Sequence, residues 1–435
     1  MTRRIYFDGL NLSLERGTGI ATYTRLLADL VRELGYEVGV VYSSFNRPSE
    51  NPLLREIAFF DQPGAARVSG FRSVCNHTVD QLTALRKITP KAIKLSGAII
   101  TDQYRSRLPL RDEIFVARNL FSNARLRFKW SGRFAALQFD TRPDIMHCTY
   151  QLPLHVKGAC NIYTIHDLVP LRLPFTTLDD KRQTYRLLRR IAAKADHIVT
   201  VSEQSRRDII DLLGVEPGRV TNTYESVEFP PEYTERPEAL VAEQLEAALQ
   251  LEADGYLLFF GAFEPKKNVA RLIDAYLLAA VNVPLVVAGP PGWGTEGEAA
   301  LLKQLAEEER SGAHSRRRFY RLEYVSRSML VTLIRGARAV LFPSLYEGFG
   351  LPVLEAMLLG TPVVTSRTSS LPEIAGDAAL YVNPYDTDDI ARAIKTIAAD
   401  TDLRRELVRR GRVQAELFSV ARYRERVAAL YQRLG

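Results

Sequence analysis

The stretch Leu341-Phe-Pro-Ser-Leu-Tyr-Glu347-Gly-Phe-Gly-Leu-Pro-Val-Leu-Glu355 decides how this chain is read. The apolar run from Ala339 to Pro343 has the length and composition of a buried strand in an α/β sheet. It feeds a Glu-Gly-Phe-Gly loop, and Pro352 then stands where a first helical turn tolerates proline. The loop therefore ends at a helix N-terminus, where unpaired backbone N–H groups and the helix dipole attract an anion. Its glycines let backbone approach a ligand closely. Glu347 lies in the loop and Glu355 follows about one helical turn after Pro352, so two acceptor carboxylates flank the anion site. A ligand carrying both phosphates and hydroxyls suits that arrangement, and a nucleotide-sugar is such a ligand.

Outward from this segment the chain alternates strand and helix. Tyr256–Phe260, Pro284–Ala288, Ala339–Phe342 and Pro362–Thr365 read as strands of one series. An earlier series opens with Ile5–Phe7, a glycine-bearing loop from Gly9 to Gly19, and Ile20, Tyr23, Leu27, Leu30 and Leu34 at helical spacing. Val38–Tyr42 follows, then the short apolar runs Asp144–Cys148, Asn161–Ile165 and His197–Val201. Such alternation predicts parallel, doubly wound sheets that bind ligands beyond the strand carboxyl ends. The stretch 43–142 is harder to parse and is expected to carry helical insertions. From Tyr224 to Asp254 the chain turns polar, which places the domain junction there. The tail puts Val420, Tyr423, Val427, Leu430 and Leu434 on one stripe that needs a partner surface. The expected layout is a Rossmann-like domain over 1–230, a second over 250–418, and a terminal helix over 419–435.

The 435 residues are ample for two sizeable cores, and 46% apolar with 25% charged is ordinary globular composition. Cys75, Cys148 and Cys160 lack metal-ligand spacing and are too few for a disulfide framework, which points to reduced thiols and a cytoplasmic setting. The N-terminus runs into a strand without a signal-like apolar region, and no segment has the ~18 uninterrupted apolar residues of a spanning helix. A soluble or peripheral protein is the expectation. The net charge of +7 is uneven: between Arg86 and Arg133 stand twelve Lys/Arg against three Asp/Glu, interleaved with Ile99, Ile100, Phe115, Leu120, Phe121, Phe128 and Trp130. A solvated helical face, docking on anionic lipid and nucleic-acid binding compete as explanations, in that order.

Three further constellations bear on chemistry. Gly261-Ala-Phe-Glu-Pro-Lys266-Lys267-Asn268 lies between a strand and a helix whose Val269, Leu272, Ile273, Tyr276 and Leu277 share one face. Lysines at that junction oppose the helix dipole, so they suit a role against a diphosphate leaving group. Tyr163-Thr-Ile-His166-Asp167 puts a histidine at the carboxyl end of an apolar run, where a lone histidine is more often structural, though a neutral imidazole there can also accept a hydrogen bond from a hydroxyl. Asp167 would bind acceptor or orient His166. Asp386-Thr-Asp388-Asp389 offers an Asp-x-Asp pattern, but it precedes a helix, and capping with dipole complementation accounts for it without a metal.

The Glu-x7-Glu segment resembles the signature of the family-4 retaining glycosyltransferases, whose fold is GT-B. The resemblance is strong from Tyr256 to Pro384, fair over the first 35 residues and over Ile162–Leu213, and weak between. It implies an α/β protein of two facing Rossmann-like domains, with the last helix crossing back to the first. It also implies metal- and cofactor-independent transfer from a nucleotide-sugar donor held by the second domain. Glu347 would then touch the sugar hydroxyls and Glu355 the ribose. Gly348, Phe349, Gly350 and Leu351 would line the donor, with the N–H groups of Phe349 and Gly350 on diphosphate or sugar. Lys267 matches the family's lysine before Asn, while Ala262 replaces its usual arginine, leaving Lys266 as the second cation. His166 matches the family's Thr-x-His, and Gly17-Thr18-Gly19 its glycine-rich first loop. Asp196–Arg206 is similar to its strand–Ser–helix segment, with Ser202 as N-cap, and Val325 aligns with its loop over the base. The family's Asn-Gly-Val-Asp hinge is absent at Asn222–Ser226. The Glu-Pro-basic-Lys-Asn variant resembles a mannosyltransferase-like branch, which suggests GDP-mannose as donor. The same branch suggests a lipid-linked O-antigen, capsule or other surface glycan as acceptor, met at the cytoplasmic face of the inner membrane. A nucleotide-sugar epimerase also uses two facing Rossmann-like domains, and a nucleic-acid-binding protein is suggested by charge alone; both are alternatives, and nucleic acid is not the expected partner.

Overall fold

The computed structural model describes residues 2–14, 19–61, 87–101, 104, 108–290, 292 and 319–434. The first domain is built on β1 (Arg4–Asp8), β2 (Glu37–Ser44), β3 (Lys91–Ile93), β4 (Glu113–Arg118), β5 (Ala135–Leu137), β6 (Ile145–Cys148), β7 (Leu154–Val156), β8 (Cys160–Thr164), β9 (His197–Thr200) and β10 (Val220–Asn222). Eight of these form one sheet in the order β10-β9-β8-β6-β1-β2-β4-β3, parallel except for the β3–β4 pair, and β5 pairs with β7 separately. Register is tightly specified at its centre. Tyr6 on β1 lies opposite Gly39 on β2, and any side chain at 39 would meet the Tyr6 ring at 2.5 Å.

The second domain carries β11 (Leu257–Phe260), β12 (Leu285–Ala288), β13 (Phe319–Leu322), β14 (Ala339–Phe342), β15 (Val363–Ser366) and β16 (Ala379–Val382). They form an all-parallel sheet in the order β13-β12-β11-β14-β15-β16. β11, β12, β14 and β15 are buried throughout, which is why they read as uninterrupted apolar runs. The order reverses between β11 and β14, so the loops leaving these two strands diverge and open a crevice at their carboxyl ends. Those loops are the Gly261–Asn268 and Pro343–Gly350 segments.

The two domains meet through the tail and through loops. Helix Val420–Leu434 buries Tyr423, Val427, Leu430 and Tyr431. It reaches the first domain where Tyr431 Oη meets His147 Nδ1 at 2.6 Å and Arg424 pairs with Glu33 at 3.1 Å. Ser226 Oγ, on the connecting chain, donates to the Phe418 carbonyl at 2.7 Å.

Several local expectations change. The basic stretch 86–133 is not an insertion over its described part. It supplies β3 and β4, the latter pairing with β2 over six residues, and helix Leu120–Ser131, which buries Leu120, Phe121, Ala124 and Phe128. Its charges concealed a strand because the buried apolar run of β4, Ile114–Ala117, is only four residues long between Glu113 and Arg118. Helix Glu238–Leu249 belongs with the second domain, since Leu245 packs against Gly336 and Gln244 Oε1 accepts from Thr332 Oγ1 at 3.2 Å, so that domain begins before residue 250. In helix Val269–Ala279 the expected face is buried except Leu277, which is 42% exposed.

Candidate active site

The Pro343–Gly350 loop turns sharply at Gly350, whose φ of +113° a side chain would strain, and helix Leu351–Leu358 starts immediately after it with Pro352 in its first turn. The loop is braced from the neighbouring Ser369–Ser370 turn. Ser370 Oγ reaches the carbonyls of Glu347 (3.0 Å) and Phe349 (2.7 Å), and Glu347 N–H donates to Ser369 Oγ at 3.0 Å. Among the described residues no hydrogen bond reaches the N–H groups of Phe349, Gly350 or Leu351. Three donors at a helix N-terminus thus remain available to an anion.

Glu347 is buried, with 6% of its surface exposed, and two lysines from the β11 loop grip its carboxylate. Lys267 Nζ lies 2.6 Å from Oε1 and Lys266 Nζ 3.7 Å from Oε2. Burial alone would raise this carboxyl, but the two ammonium groups outweigh it and hold it below the ordinary range. Lys266 answers in kind: burial would lower it, while Glu347, Asp167 and Glu264 drive it upward. The lysines come together because a short 3-10 turn, Pro265–Lys267, folds over the end of β14, where the Lys266 carbonyl accepts from Leu345 N–H at 2.8 Å. Glu355, on the helix, is partly buried, and no hydrogen bond or ion pair among the described residues reaches its carboxylate. Desolvation pushes it up to about 7, against the opposing pull of Arg327 and Lys267.

The first domain presents His166 and Asp167 across the cleft. Gly348 lies so close that a Cβ there would sit 2.6 Å from the His166 carbonyl and 3.0 Å from Asp167 Cβ. Ser205 Oγ, on helix Glu203–Leu213, bonds to both the His166 carbonyl (2.9 Å) and the Gly348 carbonyl (3.2 Å). Beside them opens a cavity of about 760 Å³ lined by Tyr150, His166, Asp167, Thr177, Asp179 and Lys266 among others. Asp167 Oδ1 accepts from Val169 N–H at 3.0 Å.

The imidazole differs from expectation. His166 Nδ1 faces Glu225 Oε1 at 3.0 Å and Nε2 faces the Thr149 carbonyl at 3.0 Å, so both ring nitrogens meet acceptor oxygens. Glu225, not Asp167, orients the ring. Burial would lower His166, but the Glu225 carboxylate and then the Thr149 carbonyl outweigh it and raise the group. Glu225 sits in the Asn222–Ser226 segment, where sequence reading saw only a missing hinge motif. Asp208 and Tyr346 were also missed, since nothing in their spacing reveals a contact made across two domains, and so was Thr149, whose carbonyl meets a histidine 17 residues on.

The remaining residues fall as follows. Gly17 and Thr18 lie outside the described residues, while Gly19 begins helix Gly19–Glu33, and a Cβ on it would touch Leu351 Cδ1 at 3.4 Å. Val325 is partly buried, one residue before Ser326, which caps helix Arg327–Gly336 by accepting from Met329 N–H at 3.2 Å. Ser202 caps helix Glu203–Leu213 through Ser205 N–H at 3.0 Å. Asp386 caps helix Thr387–Ala399 through Asp389 N–H at 3.1 Å, and Asp389 pairs with Arg392. Among the described residues no three His, Cys, Asp or Glu side chains gather as a metal-ligand set.

Two facing doubly wound domains with a donor-rich helix N-terminus at the switch point of one of them define the architecture of a GT-B glycosyltransferase. Comparison with known proteins narrows this. The family model described as Glycosyl transferases group 1 matches residues 242–414, and that described as Glycosyltransferase Family 4 matches residues 98–227. The O-antigen chain mannosyltransferase B of Escherichia coli is 36% identical over 275 residues, which are 62% of this chain and 69% of that protein. The serotype-specific mannosyltransferase WbdA of the same species is 29% identical over 286 residues, 63% of this chain but 33% of the relative, so the match spans about a third of that longer protein. The Anabaena HepE protein, solved with UDP and glucose, aligns over 99% of this chain and 100% of its own with a TM-score of 0.66; at 16% identity that likeness is one of fold. The chain belongs to the family-4 glycosyltransferases and is a glycosyltransferase of GT-B fold.

Proposed function

We propose that the protein is a retaining, metal-independent mannosyltransferase that moves mannose from GDP-mannose onto a growing lipid-linked surface glycan, an O-antigen chain in the first instance. The observation that carries the reading is the Glu347–Lys267–Lys266 cluster beside three open N–H groups, set against His166 and Asp167 of the other domain. The 36% identity to an O-antigen mannosyltransferase supports the choice of sugar and acceptor.

In this reading the donor diphosphate sits on the N–H groups of Phe349, Gly350 and Leu351, with Glu355 accepting from the ribose hydroxyls. Glu347 accepts from the sugar hydroxyls and keeps Lys267 pointed at the bond that breaks. As the glycosidic C–O bond cleaves, negative charge builds on the diphosphate, and Lys267 and Lys266 stabilise it in a site poor in water. The acceptor hydroxyl enters from the cavity beside Asp167, on the face the diphosphate leaves, and a phosphate oxygen takes its proton. The new bond therefore keeps the configuration of the old one.

The acceptor's lipid places the reaction at a membrane surface. Helices Leu120–Ser131 and Lys181–Lys194, with Gly132 and Arg133, carry ten Lys/Arg and no Asp/Glu. Trp130, Phe175 and Leu178 around them are 74%, 70% and 75% exposed. Basic charge with exposed aromatic and aliphatic side chains suits peripheral contact with anionic lipid, at the rim of the cavity. No helix among the described residues is long and apolar enough to cross a membrane.

Nucleotide release from GDP-, UDP- and dTDP-sugars, with and without a lipid-linked glycan extract, tests the proposal. GDP release from GDP-mannose, stimulated by the extract and lost in Glu347→Ala, is the expected result. Release confined to another donor would overturn the choice of sugar. Interconversion of nucleotide-sugars without acceptor would instead support an epimerase.

A further inference from the structure

We infer that Glu225 is a positioning residue that holds His166 as an imidazolium at the floor of the cleft, so that this histidine donates from both ring nitrogens and does not serve as the proton acceptor. The geometry leaves the ring little alternative. Nε2 faces a backbone carbonyl, which only accepts, and Nδ1 faces a carboxylate 3.0 Å away. All three partners are buried, so an unprotonated nitrogen at Nδ1 would leave two acceptors opposed without a proton between them. Burial opposes the cation, while the remaining neighbours favour it or are indifferent to it. The Tyr23 ring, from helix Gly19–Glu33, stands edge-on at 4.8 Å, and Asp167 adds a second nearby carboxylate, itself facing Lys266. His147 lies behind, bonded to Tyr431 and to Thr164, and burial first and the His166 charge second keep it neutral.

Glu225 has a second property. It lies in the chain that leaves the first domain, next to Ser226, whose hydroxyl is tied to Phe418, while Phe418 packs edge-on against Phe349 of the donor loop at 5.6 Å. The connection that sets the relative position of the domains thus also fixes the His166 ring. With the imidazole committed to two acceptors, its part in transfer is to place its carbonyl and a fixed positive charge beside Gly348, and the acceptor proton goes elsewhere.

The decisive measurement is the protonation of the ring itself, which stands whether or not the proposed donor is right. In protein with 15N-labelled histidine, His166 is identified by the signals missing from His166→Gln. Both of its ring nitrogens are expected to stay in the protonated range from about pH 6 to about pH 8.5 in the wild type, beyond the range where an ordinary histidine titrates. In Glu225→Gln one of them is expected to move to the unprotonated range by about pH 8. A wild-type His166 with one unprotonated nitrogen at about pH 7 overturns the inference without any variant. So does a folded Glu225→Gln in which the ring stays protonated. The kinetic readout rests on the glycosyl-transfer proposal: kcat/KM of Glu225→Gln falls about tenfold between about pH 6.5 and pH 8.5 while the wild type stays level, with partial rescue by Glu225→Asp. A variant equally impaired at every pH would mark Glu225 as structural only.

Discussion

Replacing Glu355 by Gln removes a charge that the fold holds at a disadvantage. Its carboxyl is partly buried without a hydrogen-bond partner among the described residues, and desolvation pushes it up to about 7 from an ordinary 4.5. A carboxyl raised on folding binds its proton more tightly in the folded state, so its favourable contribution is complete below pH ~4.5 and is lost as pH rises through ~7. At pH ~8 the ionised group therefore opposes folding by roughly 3 kcal/mol. Gln has the shape of the protonated acid and does not ionise. Glu355→Gln should raise the melting temperature of the second domain by about 5–10 °C at pH ~8, by about 2–3 °C at pH ~5, and by less than about 1 °C at pH ~4. Donor binding should move the other way, because an ionised carboxylate on ribose hydroxyls contributes roughly 1.5–3 kcal/mol, or about ten- to a hundredfold in Kd. Calorimetric scans at the three pH values and donor titrations at pH ~8 measure both halves. An equal melting shift at all three pH values, or destabilisation at the highest one, would refute the argument that desolvation dominates at this position.

Three further outcomes follow from the same geometry. Lys267→Ala removes the ammonium 2.6 Å from Glu347 and should lower kcat by about 10²–10³ with a smaller change in donor KM; an equal loss in binding alone would mean that Lys267 holds ground state and transition state alike. Gly348→Ala places a methyl group 2.6 Å from the His166 carbonyl, so the donor loop must lift away from the first domain; solution scattering should report a more open molecule with melting behaviour retained, and an unchanged profile with normal activity would contradict the close approach. Neutralising Lys129, Arg133, Arg182 and Arg190, all exposed, should weaken binding to anionic liposomes by about 10²–10³ at low salt, at ~1 kcal/mol per charge, while turnover on a lipid-free acceptor fragment persists. Liposome binding that survives the fourfold change would sink the proposed docking face.

The part of the candidate site carried by the second domain was legible because its pieces are contiguous. A strand, a glycine turn, a proline at a helix start and two glutamates lie within fifteen residues, and each has a local physical meaning. The lysines were legible for a related reason: a cation at a helix start is electrostatically out of place unless something anionic faces it. The part carried by the first domain was not. His166 could be picked out, but not its state, because that depends on Glu225, 59 residues on, and on a carbonyl 17 residues back. Long-range partners leave no period in the sequence. β4 escaped for the opposite reason, since a short strand flanked by Glu113 and Arg118 within a basic stretch looks like a charged surface until β2 is beside it.

The seam between the halves is built to be parted. Asp208 is fully buried and holds the Arg172 guanidinium, the Gln204 amide at 3.0 Å and, from the second domain, the Tyr346 hydroxyl. Opening the cleft withdraws only Tyr346. The carboxylate keeps its cation and its amide, so separation forfeits a hydrogen bond without stranding a buried charge, and the large penalty for breaking a buried pair is avoided. Glu373 relies on solvent instead: its carboxylate accepts from the N–H groups of Glu203 and Gln204 across the seam, and both donors sit at a helix start where water replaces it. Ser205 retains the His166 carbonyl when Gly348 leaves. Each cross-domain contact beside the site therefore has a partner that stays behind in its own domain or a solvent substitute. A cleft that must admit a nucleotide-sugar and a glycan and then release a nucleotide needs closure strong enough to exclude water and weak enough to reverse. Residual pairing or ready hydration on one side, with one or two donors lent by the other, satisfies both requirements.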